Sequence, residues 1–193
     1  MQKNLVLASS SPYRRDVLDK LGLAYRSKKP DIDETPLPGE LPSALVARLA
    51  EAKARAVMHH FPNALIIGSD QVAVLDDEIL GKPGTKSNAV KQLQQASGRC
   101  VTFLTGLTLL DSATGKATTE VIPFDVHFRR LNDRMIDRYL EKEQPFNCAG
   151  SFKSEGLGIV LFERLDGEDP NTLVGLPLIR LTRLLEQAGV EVL

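Results

Sequence analysis

The chain is 193 residues long, 42% hydrophobic and 25% charged, a composition suited to one well-buried globular domain over 1–193. Its 24 basic and 25 acidic side chains leave a formal net charge of -1, which excludes a bulk field for nucleic acid or an anionic membrane; any anion site has to come from local clustering. No apolar stretch approaches membrane-spanning length, and Cys100 and Cys148 form no metal-ligand pattern, so a cytoplasmic protein with reduced cysteines is expected.

Leu5 to Leu7 reads as a buried strand that stops at Ser9-Ser10-Ser11. Ser11 is a good helix N-cap, Pro12 suits the first helical position, and the helix carries Val17, Leu18 and Leu21 on one side before ending at Gly22. A serine turn, a helix N-terminus and the pair Arg14-Arg15 describe a place for a phosphate; the alternative is an ordinary capped helix with two solvated arginines. A short strand over Ala24–Ser27 precedes a proline-rich acidic loop, Lys28–Pro42, of a length often devoted to function.

A helix is predicted from Ser43 to about His60, its apolar stripe formed by Leu45, Val46, Leu49, Ala52, Ala56 and Val57, with Lys53 flanking it beside Ala52. Ala64–Ile67 reads as a strand ending in a Gly68-Ser69 turn, with Val72–Leu75 resuming extended structure and Asp76-Asp77 forming a turn. Helices follow at Ser87–Ser97, from the Asn132 cap to Glu143, and at Leu178–Ala188. Long strands are expected at Cys100–Leu110 and Thr118–Arg129, and a shorter one at Ile159–Leu165. This order mixes βα units with an antiparallel hairpin. The expected fold is α/β, a mixed central β-sheet flanked by helices, with two lobes around a substrate cleft.

Asp70 is the sharpest candidate for chemistry, a carboxylate closing an apolar strand, able to ligate a divalent cation or take a proton from water. Glu34 in the acidic loop offers a second carboxylate. Lys82 sits in the rigid Gly81-Lys82-Pro83 loop, and Lys153 lies in a glycine-punctuated segment that permits close approach of a ligand. No nucleophile elbow, Walker A loop or dinucleotide fingerprint is present in the sequence.

Leu-Ala-Ser-Ser-Ser-Pro-Tyr-Arg-Arg at 7–15, Asp-Glu-Thr at 33–35, Glu-Ala-Lys-Ala at 51–54 and Ile-Gly-Ser-Asp-Gln at 67–71 are followed by Gly-Lys-Pro at 81–83, Cys-Ala-Gly-Ser-Phe at 148–152 and Val-Gly-Leu-Pro-Leu at 174–178. In this set and order the sequence resembles the Maf family of nucleoside triphosphate pyrophosphatases. The resemblance implies hydrolysis of a nucleoside triphosphate to its monophosphate and pyrophosphate, dependent on a divalent cation (Mg²⁺, Mn²⁺ or Co²⁺). It implies Asp70 as general base, Glu34 and Asp70 as metal ligands, and Ser9, Arg14, Lys53 and Lys82 as phosphate-binding residues.

Tyr13, Gln71 and Glu155 are more similar to the branch acting on 7-methyl-GTP than to the dTTP/UTP branch, which typically shows arginine, threonine and glutamine there. Tyr13 departs from the usual tryptophan of the 7-methyl-GTP branch, yet an aromatic face still attracts a cationic methylated base. The expected partner is a small-molecule nucleotide, with no nucleic acid and no membrane; a homodimer is compatible with the sequence. The alternatives are a dTTP/UTP pyrophosphatase and a non-enzymatic nucleotide-binding regulator of cell division.

Overall fold

The computed structural model describes residues 3–193. Seven strands, β1 (Asn4–Leu7), β2 (Tyr25–Ser27), β3 (Ala64–Leu75), β4 (Glu78–Leu80), β5 (Cys100–Asp111), β6 (Ala117–Phe128) and β7 (Phe162–Gly167), form one sheet in the order β2-β1-β3-β5-β6-β7, with β4 on β3. The helices are α1 (Pro12–Leu18), α2 (Pro42–Val57), α3 (Lys86–Ala96), α4 (Asp133–Glu143) and α5 (Leu178–Gln187). The sheet is mixed: β1 is parallel to β2 and to β3, while β3 with β4 and β6 with β7 are antiparallel. The expected α/β fold with a mixed, helix-flanked sheet is the fold observed.

Chain connections leave β1 toward β2 on one side and return to β3 on the other, so the strand order reverses at β1. In open α/β sheets such a switch point opens a crevice beyond the strand's carboxyl end. Strand alternation divides the side chains there between two layers. Leu5, Leu7, Leu65 and Ile67 join Val17 and Leu18 of α1 and Leu178, Leu181, Leu184 and Leu185 of α5. Val6, Ala8, Ala64 and Ile66 join Ala54 and Val57 of α2.

The chain divides into two compact units. The first comprises the chain up to Gln71 with Thr105–Ile122 and Asp169–Leu193; the second comprises Val72–Leu104 and Pro123–Glu168. The second has its own aromatic core, in which Phe103, Phe128, Phe152 and Phe162 meet edge-to-face with ring centroids 4.8–5.5 Å apart. Pro123 falls inside β6, one residue before the register with β7 begins at Phe124 opposite Gly167.

Local signals set several boundaries as expected. Ser11 Oγ accepts from the Arg14 N–H, Gly22 closes the following 3₁₀ turn with φ 65°, and Asn132 caps α4 through the Met135 N–H. Three expectations fail. The Gly68-Ser69 turn does not exist, because β3 runs unbroken through it. A Cβ at Gly68 would overlap the Ala50 carbonyl oxygen of α2, and one at Gly106 would overlap that of Val46, so both glycines serve close helix–sheet packing. The buried stripe of α2 includes Ala50, Lys53 and Ala54, while Ala52 and Ala56 lie half-buried beside it. Ile159–Leu161 belongs to a 3₁₀ turn, and β7 begins only at Phe162.

The acidic loop is folded back onto α2 by Arg48. Its Nε donates to Glu40 Oε1 at 2.6 Å and its Nη2 to Glu40 Oε2 at 2.7 Å and to the Thr35 carbonyl at 3.2 Å, while Glu40 Oε2 also accepts from the Leu37 N–H. The Arg48 hydrogen bonds, aided by Leu37, hold the Glu40 carboxyl at about 2, below its usual 4.5.

Two outcomes follow from this packing. Gly68→Ala is expected to destabilise the protein by about 1–3 kcal/mol, read as a lowered urea midpoint with unchanged slope. A carboxyl depressed in the folded state stabilises above its unfolded value and loses that contribution as pH falls. Melting temperature should therefore drop between pH 4.5 and 2 more steeply in the wild type than in Glu40→Gln.

Candidate active site

The even-numbered residues of β3 face α2, and the register carries this past Gly68 to Asp70. Asp70 is thus an interior strand residue 7% exposed, and not the turn residue expected. Lys53, on the sheet-facing stripe of α2 and 6% exposed, places Nζ 2.6 Å from Asp70 Oδ1 and 3.1 Å from Glu34 Oε2. Glu34 arrives from the loop that Arg48 holds, where Asp33 Oδ1 accepts from the Thr35 N–H at 2.9 Å. A buried ammonium here has one buried and one exposed carboxylate partner, the compensation such a charge requires.

The odd-numbered residues of β3 face the opposite layer. Ser69 Oγ donates to the Gly175 carbonyl at 2.7 Å, and the same carbonyl accepts from Arg14 Nε at 2.8 Å. Arg14 therefore reaches its place from α1 with its orientation set by a backbone oxygen. Burial pushes its guanidinium below the usual value, while the negative charges of Asp70 and Glu34 oppose that shift. Gln71 Nε2 donates to Thr105 Oγ1 at 2.8 Å and to the Thr172 carbonyl at 2.6 Å, so its amide braces the 3₁₀ turn before Gly175. Asp169 fastens the ends of that segment, accepting from the N–H groups of Asn171 and Ile179 at 2.8 Å each.

Ser9 is buried just beyond β1, its Oγ accepting from the Ser11 N–H at 3.1 Å and its carbonyl from Ser27 Oγ at 2.7 Å. Tyr13, on the first turn of α1, is 37% exposed. The first unit thus brings Arg14, Glu34, Lys53 and Asp70 into one charged cluster, with Ser9 in the turn after β1, Tyr13 on α1 and Gln71 on β3.

Lys82 and Glu155 belong to the second unit. The Gly81-Lys82-Pro83 loop is fixed to α3, where Gln92 Nε2 donates to the Gly81 carbonyl and Asn88 Nδ2 to the Pro83 carbonyl, both at 3.0 Å. Gln92 Oε1 also accepts from Ser151 Oγ at 2.5 Å, linking the Lys82 loop to the residue after Gly150. Burial raises the Cys148 thiol above the ordinary value, with the charges of Lys153 and Lys82 opposing that shift and those of Glu155 and Glu143 adding to it, so it remains neutral. Lys153 Nζ lies 3.3 Å from Glu143 Oε1.

Ser69 and Gly175 lie within family motifs without a role of their own in the sequence reading, and Gln92 and Glu143 were not singled out at all. The alternation of β3 signals the role of Ser69, since it sets which layer each residue of Gly-Ser-Asp-Gln faces. Among the described residues no group of three His, Cys, Asp or Glu side chains is placed to hold a metal ion. Glu34 and Asp70, however, converge on one point, the Lys53 ammonium, and supply hard oxygen donors. Glu34, 57% exposed, reaches this point from the solvent side. Two carboxylates completed by substrate phosphates and water fit Mg²⁺ or Mn²⁺.

Among the described residues no helix is long and apolar enough to cross a membrane. The family model described as Maf-like protein matches residues 4–188. A protein of Nitrosococcus oceani named 7-methyl-GTP pyrophosphatase is 63% identical over 189 residues, covering 98% of this chain and 95% of the relative. One of the same name from Colwellia psychrerythraea is 58% identical over 191 residues, covering 99% and 96%. The solved structure of the Staphylococcus aureus Ham1 protein shares the fold at a TM-score of 0.54 and 13% identity, covering 97% of this chain and all of that one. With its family motifs in order along the whole chain and Asp70, Lys53, Glu34 and Arg14 gathered at the strand switch point, the chain belongs to the Maf family.

Proposed function

We propose that the protein is a nucleoside triphosphate pyrophosphatase that hydrolyses 7-methyl-GTP to 7-methyl-GMP and pyrophosphate, removing a modified nucleotide from the cytoplasmic pool. The observation that carries this reading is the buried Asp70 carboxylate, held at 2.6 Å by Lys53 beside Glu34 and the Arg14 guanidinium. The names of two relatives at 58–63% identity over nearly their whole length support the same substrate.

In this reading Asp70 takes a proton from water as the water oxygen attacks the α-phosphorus. A new P–O bond forms there, and the bond to the oxygen bridging to the β-phosphorus breaks. Pyrophosphate leaves with that electron pair. Arg14, Lys53 and Lys82 bind phosphate oxygens and stabilise the charge that develops on them. Ser9 adds a hydroxyl from the turn after β1. A divalent cation held by Glu34, Asp70 and the substrate's own phosphates would supply further neutralisation of phosphoryl charge.

The base is assigned to exposed groups. The Tyr13 ring offers an aromatic face to the cationic 7-methylguanine, and the Glu155 carboxylate accepts hydrogen bonds from the donor edge of guanine. Gln71, with its amide committed to Thr105 and Thr172, would influence selectivity through the braced turn.

Asp70→Asn is expected to lower turnover, read as pyrophosphate release with magnesium or manganese present, by roughly 10²–10⁴-fold. A circular dichroism spectrum like that of the wild type would show the fold retained, and near-normal turnover would reject Asp70 as the base. In a panel of 7-methyl-GTP, GTP, dTTP and UTP, the wild type should prefer 7-methyl-GTP. Tyr13→Ala should lower the ratio of kcat/KM for 7-methyl-GTP over GTP by about fivefold, corresponding to a cation–π contribution of about 1 kcal/mol. Equal turnover of all four nucleotides would remove the base assignment while leaving the pyrophosphatase chemistry standing.

A further inference from the structure

The segment 153–158 carries Glu155, and α4 holds it with two side chains one turn apart. Tyr139 Oη, buried, accepts from the Lys153 backbone N–H at 3.1 Å. The Glu143 carboxylate divides its two oxygens: Oε2 accepts from the Leu157 N–H at 2.7 Å, and Oε1 lies 3.3 Å from Lys153 Nζ. Lys153 Nζ also donates to the Glu143 carbonyl at 3.4 Å. The carboxylate thus grips the segment on both sides of Glu155.

Glycines make that grip possible. A Cβ at Gly156 would stand 2.8 Å from Glu143 Oε2, within the space the carboxylate occupies. Inside the segment the Lys153 carbonyl accepts from the N–H groups of Gly156 at 3.3 Å and Gly158 at 3.0 Å, and a Cβ at Gly158 would overlap that carbonyl. The backbone therefore turns around one carbonyl and is pinned from outside by a hydroxyl and a carboxylate. Glu155 itself, at the middle of the turn, is exposed, with Ser154 Oγ donating to its Oε2 at 3.3 Å.

We propose that Glu143 and Tyr139 are positioning residues for selectivity, holding the 153–158 turn so that the Glu155 carboxylate is presented to the base in one orientation. The proposal rests on the reading of Glu155 as a base-recognising group. A hydrogen bond discriminates between bases only if its acceptor is fixed to within a few tenths of an ångström, and an exposed carboxylate on an unpinned loop loses that through conformational averaging. Tyr139 and Glu143 act at the backbone on either side of Glu155, through the N–H groups of Lys153 and Leu157, so the turn they hold meets the base through Glu155.

The test measures kcat/KM for 7-methyl-GTP and UTP in the wild type, Glu155→Gln, Glu143→Gln, Tyr139→Phe and the Glu143→Gln/Glu155→Gln double variant. Glu155→Gln should lower the 7-methyl-GTP over UTP ratio by about tenfold, the scale of a hydrogen bond to a charged group, because a pyrimidine lacks the paired donor edge of guanine. Glu143→Gln and Tyr139→Phe should each lower it by about threefold to fivefold, the scale of one neutral hydrogen bond. Adding Glu143→Gln to Glu155→Gln should change the ratio no further, which a merely structural role would not produce. Tyr139→Phe keeps the buried ring, so it reads the proposal independently if Glu143→Gln folds poorly. Unchanged ratios in both positioning variants while Glu155→Gln lowers it, or losses that multiply in the double variant, overturn the proposal. An unchanged ratio in Glu155→Gln itself overturns the base reading and the proposal with it.

Discussion

The close approach of α2 to the sheet is the constraint on which the rest depends. Two glycines, Gly68 on β3 and Gly106 on β5, leave room for the carbonyls of Ala50 and Val46, so the helix backbone lies almost directly on the strands. At that separation a lysine one turn further along α2 meets an aspartate two residues further along β3. Two ions taken from water into a buried site cost more than a surface pair returns, and removing one partner typically costs about 3–5 kcal/mol because the other charge is stranded. The pair is therefore better understood as a placed chemical group than as a source of stability. The fold bears the cost of keeping a carboxylate and an ammonium in contact at the end of β1.

The opposite layer does similar work with backbone atoms. The Gly175 carbonyl fixes Arg14 and Ser69 together, and the turn that presents it is braced by Gln71, Thr105 and the buried Asp169. Side chains of one strand, Ser69, Asp70 and Gln71, thus organise both layers in alternation. The charged cluster of the first unit is arranged by β3 more than by any loop.

Much of this architecture was readable in advance where the signal is local. Ser11, Gly22 and Asn132 act within one helical turn of themselves, and the alternation of Ile122, Phe124, Val126 and Phe128 in β6 needs no distant partner to be recognised. Gly68 misled because glycine serves both turns and tight packing, and only the helix lying on it distinguishes the two uses. Ala50 and Ala54 could not be told from Ala52 and Ala56, since alanine marks either face of a helix equally well. Lys53 looked peripheral because its burial depends on a carboxylate seventeen positions away. Of the site, Arg14, Glu34, Lys53 and Asp70 were singled out as residues with chemistry, and the structure gathers these four. Tyr139 and Glu143 escaped notice, and Ser69 was read as part of a turn, because they act on backbone atoms, and a sequence does not reveal which backbone atom a side chain will meet.

Pro123 carries a consequence for the protein in a crowded cell. It stands in β6 just ahead of the stretch that pairs with β7, which begins at Phe124. An uncovered edge is a template on which another molecule's strand can add, and sheets that grow this way become aggregates. Proline is tolerated in a sheet where its missing N–H is not needed, and at such a place it denies a newcomer one of the hydrogen bonds that would hold it. One imino acid thus makes that stretch of β6 a poorer template for a further strand.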